Sequence, residues 1–370
     1  MANNKAAKNR YTPQNVSHPG VTLGAKIREM EMSVREFAVR AAKPEKTILA
    51  VIRGDSSITP EMAVVFENVT QIPAHFWMAR QRNYDEAVAR KRLAQRIDAA
   101  SDWVEAFPVK QMVKYGWLQP FTDAESRTKS LLQFFAVTSP QAWENYYMNQ
   151  RLRVSFRISL RSTIEPYAIS AWLRQGDRQA EGMVLAQEYS EKGLRSMLRR
   201  MKALMVEKPG DWAARLQKLC ANCGVKLVYT PALPKAPING ATRWIASKYP
   251  CIQMSSKEKR YDVFWFSFFH EIGHILLHGK KEFFLENVEY DDKEAKKELE
   301  ADNFAANVLL KPEQEEDIVA NGDYSAEVIK SYAAKFATHP SIIVGRLQHH
   351  RLIPKSADTE LLEVFTFPAD

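Results

Sequence analysis

Apolar residues recur at helical spacing along most of the chain, which predicts a mostly α-helical fold. Residues 21–88 contain five such segments, and Ser33 and Thr59 stand where N-cap residues of two of them belong. The predicted helices cover residues 21–30, 34–41, 44–53, 60–69 and 74–88. The short turn between the second and third helices is typical of a helix-turn-helix.

The pattern changes after Gly224. Helical spacing continues from 91 to 205, whereas short apolar segments after 224 predict strands at 225–229, 241–247 and 251–254, with a hairpin-type turn at Asn239-Gly240. A strongly apolar helix is predicted at 263–277 and a further helix at 294–310. The overall class is α+β with mostly helix and a small sheet. The predicted organisation is a flexible arm (1–19), a helix-turn-helix domain (20–90), a helical linker domain (91–214) and a C-terminal domain (215–370).

The composition, with 45% hydrophobic and 26% charged residues over 370 positions, excludes a disordered or fibrous chain. No segment approaches the roughly 18 apolar residues of a membrane-spanning helix, and the N-terminus lacks the apolar core of a signal peptide. We therefore expect a cytoplasmic protein without a membrane partner.

The net charge of +8 is uneven, with +4 over 1–90, +9 over 91–230 and −5 over 231–370. The basic part could meet nucleic acid phosphates.

The motif His270-Glu271-Ile272-Gly273-His274 lies inside the apolar segment 263–277. On a helix, His270 and His274 share one face about 6 Å apart along the axis, so both imidazoles can bind one Zn²⁺. Glu271 lies beside them, where its carboxylate can take a proton from the attacking water and pass it to the leaving amine. The motif predicts a zinc site with Glu271 as the catalytic base. The alternative is a histidine pair in the core.

A third zinc ligand is predicted on the following acidic helix, 24 residues after His274. Glu298 is favoured because Asp302, four residues later, would face the same way and could accept the ring N–H of a ligand histidine. Glu300 would lie about 200° around the helix from Glu298, so both cannot serve. His278 would be about 12 Å from His270 along the helix, too far for a shared ion.

Other candidate residues have weaker support. His339, His349 and His350 show no ligand spacing, and Cys220 and Cys223 lack the second Cys pair of a structural zinc site. Peptide hydrolysis needs a group that stabilises the oxyanion, and Tyr261, Tyr290 and Arg243 are candidates without a spacing argument.

The motif 270–274, the acidic helix 298–306 and Leu309-Leu310-Lys311-Pro312 together resemble the ImmA/IrrE family of zinc metallopeptidases. The resemblance extends over about residues 215–350 and includes Asn239–Trp244. It implies a zincin-like fold and a narrowly specific peptidase that acts on repressors or related regulatory partners. Lys311 stands where the family usually has Met, a difference that concerns packing rather than chemistry.

A recognition helix contacts bases through its N-terminal residues, which predicts DNA contacts at the start of the third helix. The candidates are Lys43, Glu45, Lys46 and Thr47, with Arg53 and Arg35 on phosphates. His18-Pro19-Gly20 and the segment 23–84 resemble the HigA-type branch of Xre helix-turn-helix antitoxins. That resemblance implies dimers on a double-stranded DNA operator. The usual Gly of the turn is absent, and Pro44 enters the third helix early.

Two functions are consistent with these features. The first is a DNA-binding transcriptional regulator, antitoxin-like, whose zinc peptidase domain hydrolyses a repressor, a partner toxin or its own chain. The second is a non-catalytic antitoxin or regulator that uses the zinc fold as a sensor or partner-binding scaffold. Glu271 favours the first, because a metal sensor needs ligands but no general base.

Overall fold

A computed structural model describes residues 16–98, 100–147, 166–236, 238–245, 248–279, 284–285, 292–356, 359–364 and 366. Most of the predicted arm, residues 1–15, lies outside these ranges. The chain forms two compact units, residues 1–99 and 100–370. The predicted fold class, mostly α with a small sheet in the C-terminal region, is confirmed.

In its described part, residues 16–98, the first unit is a bundle of five helices. They are α1 (Pro19–Glu29), α2 (Val34–Arg40), α3 (Glu45–Arg53), α4 (Pro60–Thr70) and α5 (Ala74–Asp98). The hydroxyls of Ser33 and Thr59 accept backbone N–H groups at the starts of α2 and α4, as the sequence predicts. Phe37, Phe66 and Trp77 are fully buried at the centre of the bundle. These rings form one core with Leu23, Ile27, Ile48 and Val51, and burial of this apolar surface stabilises the unit.

The turn between α2 and α3 is a helix C-terminal motif with an alanine at the position that favours glycine. Ala42 has φ +47°, in the left-handed region. The N–H of Lys43 donates to the carbonyl of Ala38, and the N–H of Ala42 donates to that of Val39. This pair of hydrogen bonds is the Schellman arrangement, whose left-handed residue is usually Gly because a Cβ there is strained.

We therefore expect Ala42→Gly to stabilise the first unit. The substitution removes the strain free energy of a left-handed alanine from the folded state. This gain is larger than the loss caused by the greater conformational entropy of glycine in the unfolded chain. The free energy of unfolding should therefore rise by about 0.5–1 kcal/mol. Urea denaturation of wild type and variant measures the difference. Ala79→Gly, in the regular interior of α5, is the control and should lower stability. An equal loss of stability in both variants would contradict the role given to Ala42.

The second unit begins with seven helices among the described residues, and side chains of the first five, many of them aromatic, contribute to one core. These helices are α6 (Ser101–Glu105), α7 (Val109–Lys114), α8 (Ala124–Phe135), α9 (Pro140–Trp143), α10 (Pro166–Glu181), α11 (Glu191–Glu207) and α12 (Trp212–Ala221). Trp143 and Trp172 are fully buried, and the ring of Trp143 stacks on that of Tyr167 with centroids 5.0 Å apart. The core continues onto the sheet through Ala241.

The sheet of the second unit has the strand order β1-β3-β2-β4. The strands are β1 (Lys226–Thr230), β2 (Gly240–Ile245), β3 (Tyr249–Ser255) and β4 (Phe284–Leu285). β3 pairs in parallel with β1 and antiparallel with β2. The predicted hairpin-type turn at Asn239-Gly240 is therefore wrong, because Gly240 begins β2 and the hairpin joins β2 to β3. Asn239-Gly240 follows a long loop that carries the chain past β3, a context that the dipeptide alone does not reveal.

Helices complete the second unit around the sheet. They are α13 (Tyr261–Leu277), α14 (Asp292–Leu309), α15 (Pro312–Asn321), α16 (Ala326–Lys335) and α17 (Pro340–His349), followed by a 3₁₀ turn at Thr359–Leu361. α13 and α14 pack closely, since a Cβ built on Gly273 would lie 3.1 Å from the Cα of Ala301. This crossing brings one face of each helix together. Among the described residues, no helix has the length and apolar character required to cross a membrane.

Candidate metal centre

The motif His270–His274 lies in the middle of α13, the most apolar helix around the sheet. His270, Glu271 and His274 are all buried. The Nε2 atoms of His270 and His274 are 2.9 Å apart. The i, i+4 spacing thus brings the two imidazole rings to a single point, as the sequence predicts.

α14 brings a carboxylate to the same point. Oε2 of Glu298 lies 3.2 Å from Nε2 of His270, and Oε1 lies 3.5 Å from Nε2 of His274. The potential ligand atoms of His270, His274 and Glu298 all lie within 4.8 Å of one another, the only such His, Cys, Asp or Glu group in the part of the chain that the structure describes. Close packing at Gly273 permits this approach, because a larger residue there would push α14 away.

The other nitrogen of the first ring is held by Asp302. Nδ1 of His270 lies 2.9 Å from Oδ1 of Asp302, one turn after Glu298 on α14. A carboxylate can only accept, so Nδ1 carries the hydrogen and Nε2 presents its lone pair. Asp302 has the orienting position that the E-x-x-x-D spacing predicts.

The second ring is oriented by a longer chain of contacts that the sequence did not indicate. Nδ1 of His274 lies 3.0 Å from Nδ1 of His278, whose Nε2 lies 3.1 Å from Oε2 of Glu300. Glu300 accepts from Nε2 of His278, so Nδ1 of His278 accepts from Nδ1 of His274, and Nε2 of His274 presents its lone pair. His278 and Glu300 thus lie behind a candidate ligand and are not ligands themselves. The sequence analysis weighed His278 and Glu300 only as possible metal ligands, with Glu300 as the alternative third ligand to Glu298, and gave neither an orienting role, although His278 follows His274 by one helical turn.

These hydrogen positions make the centre suited to a cation. Two imidazole lone pairs and a carboxylate face one another at 2.9–3.5 Å. Electron-rich atoms repel one another at such distances unless a positive charge lies between them. Zinc bonds of 2.0–2.1 Å in a tetrahedron place neighbouring ligand atoms about 3.3 Å apart. The donor set and its spacing therefore fit zinc, with a fourth position left for solvent or substrate.

The protonation states agree with this arrangement. Burial lowers the pKa of His274 to about 4, so the ring is neutral at pH 7. A neutral imidazole is the form that binds metal, so binding at neutral pH requires no loss of a proton from this ring.

Glu271 lies against the first residue of β2. A Cβ built on Gly240 would lie 2.6 Å from Oε1 and 2.9 Å from Cγ of Glu271, so only glycine leaves room for the carboxylate. The hydroxyl of Thr242, on the same strand, donates to the backbone carbonyl of Glu271. The sequence showed Asn239–Trp244 as part of the family resemblance and assigned Gly240 to a turn, but it did not indicate a contact between Gly240 and Glu271.

Gly240→Ala should displace the carboxylate of Glu271 and leave the residues of the candidate metal centre in place. The added methyl group displaces the side chain, and we expect the rate of peptide hydrolysis to fall about 10- to 100-fold, because general-base catalysis depends on position. Zinc content should stay at the wild-type level. Gly182→Ala, whose Cβ would be no closer than 3.5 Å to any atom, is the control.

The double variant Gly240→Ala/Glu271→Asp tests the steric cause, because the shorter side chain makes room for the methyl group. Adding the methyl group should therefore reduce the rate of peptide hydrolysis less in the Glu271→Asp background than in the wild type. Simple addition of the two effects would show that Gly240 does not act through Glu271.

The remaining histidine and cysteine candidates are not part of the group formed by His270, His274 and Glu298. His339 caps α17, with its Nδ1 accepting the N–H of Ser341. Cys220 and Cys223 are buried, and burial raises the pKa of both thiols, so they remain protonated at neutral pH. His349 and His350 lie at the C-terminal end of α17.

The candidates for oxyanion stabilisation have other partners. The hydroxyl of Tyr261 donates to the carbonyl of Met205. Arg243 forms a buried ion pair with Asp177, with Nε and Oδ1 2.7 Å apart, which ties β2 to α10. Tyr290 lies outside the described residues. Tyr261 thus connects α13 to α11, and Arg243 connects β2 to α10.

The predicted DNA contacts lie around the start and the end of α3. Glu45, Lys46 and Arg53 are exposed, whereas Lys43 and Thr47 are half-buried. Arg35 is exposed on α2. Ile48 and Val51, on the opposite face of α3, are fully buried. α3 thus presents a polar face to solvent while its apolar face packs into the bundle.

Comparison with known proteins relates the C-terminal part of the chain to a family. Residues 220–347 match the family model described as the IrrE N-terminal-like domain of peptidase family M78. This match confirms the family that the zinc motif and the acidic helix resemble. A search of curated proteins gives no significant match.

Two solved structures are similar to a part of the chain. An addiction module antidote protein of the HigA family from Coxiella burnetii is 27% identical, covers 23% of this chain and 94% of its own, and has a TM-score of 0.22. A protein described as an antidote of a plasmid maintenance system, from Nostoc punctiforme, is 24% identical, covers 20% of this chain and 84% of its own, and has a TM-score of 0.20.

Proposed function

We propose that the chain is a DNA-binding transcriptional regulator of the antitoxin type whose C-terminal part is a zinc-dependent endopeptidase. Its substrate would be a repressor, a partner toxin or the chain itself. The observation that carries this proposal is the convergence of His270, His274 and Glu298 at one point, with the buried carboxylate of Glu271 one residue from the first ligand. The match of residues 220–347 to a peptidase family supports it.

The side chains of His270, His274 and Glu298 would hold the ion, and Asp302 and His278 would fix the two rings. Zinc bound there supplies a Lewis acid that polarises a peptide carbonyl and lowers the pKa of water. The protein contributes neutral imidazoles and a fixed geometry, because each ring is restrained at its second nitrogen.

Glu271 would act as the base and then as the acid. It follows His270 on α13, so its carboxylate lies beside the ligands rather than among them. From there it takes a proton from the attacking water and passes it to the nitrogen of the leaving amine. Gly240 and the backbone of β2 restrict the position of the carboxylate during both transfers.

The first unit would bind a double-stranded DNA operator, with the chain acting as a homodimer. The support is the helix-turn-helix arrangement of α2 and α3 and the exposure of Glu45, Lys46 and Arg53. Lys43 and Thr47 lie at the start of α3, where base contacts are expected, and Arg35 and Arg53 are placed for phosphates.

Replacing Lys43 and Lys46 by Ala should weaken operator binding and flatten its salt dependence. A lysine in the groove also neutralises nearby phosphate charge, and each neutralised phosphate contributes about 0.9 to the magnitude of the slope of log K against log[salt], so this magnitude should fall by about 1–2 in the double variant. Fluorescence anisotropy with a duplex enriched from a random DNA library measures the slope. Arg82→Ala, exposed on α5, is the control. An unchanged slope in the double variant would remove these lysines from the interface.

The non-catalytic alternative makes a different prediction for the same protein. A sensor or scaffold would bind zinc and partners but leave every partner intact. Incubation of the zinc-loaded chain, alone and with the proteins encoded beside its gene, followed by mass spectrometry, separates the two. Zinc-dependent fragments that require Glu271 support the peptidase; intact partners at full zinc occupancy support the alternative.

A further inference from the structure

The helix α11 in the second unit has one apolar side and one strongly basic side. The apolar side packs into the core through Leu194, Met201, Leu204 and Met205. The opposite side carries a set of cations that we call the basic face: the exposed residues Lys192, Arg195, Arg199 and Arg200 and the half-buried Lys202. The proposed peptidase mechanism uses none of these residues.

Four cations of the basic face form a row of neighbouring side chains. They are three, four and three residues apart: Lys192, Arg195, Arg199 and Lys202. Like charges at such spacing destabilise a helix. Elsewhere the chain pairs an exposed arginine with an acid four residues earlier, as Arg40 pairs with Glu36, whereas Arg199 has Arg195 at that position. The row is therefore unfavourable for the helix itself, and the fold does not require it.

Little negative charge compensates the basic face. Oε1 of Glu191 lies 2.9 Å from Nε of Arg195, and Glu207, the other acidic residue of α11, is the last residue of the helix. Among the described residues, the other four cations of the face form no ion pair. Burial and the positive charge of Lys311, next to the start of α15, lower the pKa of Lys202. A bound polyanion would therefore be attracted by several positive charges at once.

The composition of the helix indicates which polyanion fits. α11 contains no aromatic residue. Single-stranded nucleic acids bind by stacking on aromatic side chains, and protein interfaces are commonly anchored by them, so both partners are disfavoured. The row extends over about 15 Å at 1.5 Å per residue, a length in which one strand of a DNA duplex carries about four phosphates. Segment 91–230, which includes α11, also has a net charge of +9.

We propose that the basic face of α11 binds the phosphate backbone of double-stranded DNA, which gives the second unit a DNA contact of its own. Phosphate contacts position a protein but do not read bases, so this contact is independent of sequence. Two linked DNA contacts on one chain bind more tightly than either alone, because the second forms at a high effective concentration. The inference depends neither on peptidase activity nor on operator contacts of α3.

The test measures binding of the full-length chain to a fluorescent DNA duplex of random sequence by anisotropy, over a series of salt concentrations. The variant Lys192→Gln/Arg199→Gln/Arg200→Gln removes three exposed charges of the basic face. Each neutralised phosphate contributes about 0.9 to the magnitude of the slope of log K against log[salt], so this magnitude should fall by about 2–3. At low salt, binding should weaken by at least about 10-fold.

The matched control removes the same charge elsewhere in the second unit. Lys110→Gln/Lys114→Gln/Lys129→Gln changes three exposed lysines of α7 and α8 and should leave the slope nearly unchanged. Arg199→Glu is a single exposed substitution, so it remains informative if the triple variant of α11 fails to fold. It should weaken duplex binding by at least about 5-fold, whereas Arg199→Lys keeps the charge and should retain most of the affinity.

The outcomes also separate this inference from the proposed function. An unchanged slope in the α11 triple variant, or an equal fall in the control, overturns the inference. Tighter binding of single-stranded DNA or duplex RNA than of duplex DNA, lost in the same variant, also overturns it and assigns the face to that ligand. If Lys43→Ala/Lys46→Ala has no effect on any duplex while the α11 variant still loses binding, the contact of α11 stands and the operator contacts of α3 fail.

Discussion

Glu271→Gln should abolish nearly all peptide cleavage while the zinc content stays that of the wild type. The amide has the size of the carboxylate, so the space beside Gly240 stays filled, but it cannot take a proton from the attacking water. General acid–base catalysis contributes about 10²- to 10⁴-fold, which sets the expected fall in rate. Mass spectrometry follows the fragments over time, and elemental analysis gives zinc per chain.

The control for this variant is Glu313→Gln, which makes the same chemical change at an exposed position on α15. It should cleave at the wild-type rate. If Glu271→Gln and wild type give the same fragments at the same rate, Glu271 is not the base, and a contaminating protease or spontaneous cleavage explains the fragments. If neither gives fragments from any partner, the scaffold alternative gains support.

Glu298→Ala should lower zinc affinity at least 100-fold, the largest expected effect on binding. The variant removes the only carboxylate that reaches both imidazoles among the described residues, at 3.2 and 3.5 Å. Loss of an orienting partner such as Asp302 costs a metal site about 10- to 100-fold, so the loss of a ligand should cost more than Asp302→Ala does. Competition with a fluorescent chelator measures the affinities.

Glu300→Ala tests which carboxylate of α14, that of Glu298 or that of Glu300, binds the metal. Glu300 acts on His274 only through His278, so its variant should retain zinc better than Glu298→Ala and Asp302→Ala. The reverse order, with zinc lost in Glu300→Ala and retained in Glu298→Ala, would show that α14 presents a different face in solution.

The sequence predicted most of the local geometry of this centre. His270 and His274 converge because an i, i+4 pair always shares a helix face, and the same rule places Asp302 with Glu298. Both relations depend only on helical spacing. The contact between His278 and His274 follows the same rule, but His278 was considered only as a metal ligand, so its orienting role was not predicted.

Relations between elements far apart in the chain were not predicted. Gly240 contacts Glu271 only because β2 passes over α13, and the approach of α14 depends on Gly273 against Ala301. Nothing in helical or strand periodicity reveals which glycine faces which side chain. The pairing of β1 with β3 was missed for the same reason, since two short apolar strands give no signal for their partner.

Helix ends were predicted well where a capping residue marks them and poorly elsewhere. α2 and α4 begin directly after Ser33 and Thr59. α5 was predicted to end near 88 but continues to Asp98, because neither Gly nor Pro interrupts the sequence after Val88. In the turn before α3, the absence of Gly did not prevent the left-handed conformation, which Ala42 adopts.

X-ray absorption at the zinc edge, on the zinc-loaded full-length chain, measures directly which atoms surround the ion. We expect nitrogen and oxygen neighbours at about 2.0–2.1 Å, two imidazoles in the outer scattering, and no sulfur. The signal of one imidazole should disappear in His274→Ala. A sulfur neighbour at about 2.3 Å would place zinc on the cysteines instead, and together with an unchanged spectrum of the His274→Ala protein it would contradict a metal centre at His270, His274 and Glu298.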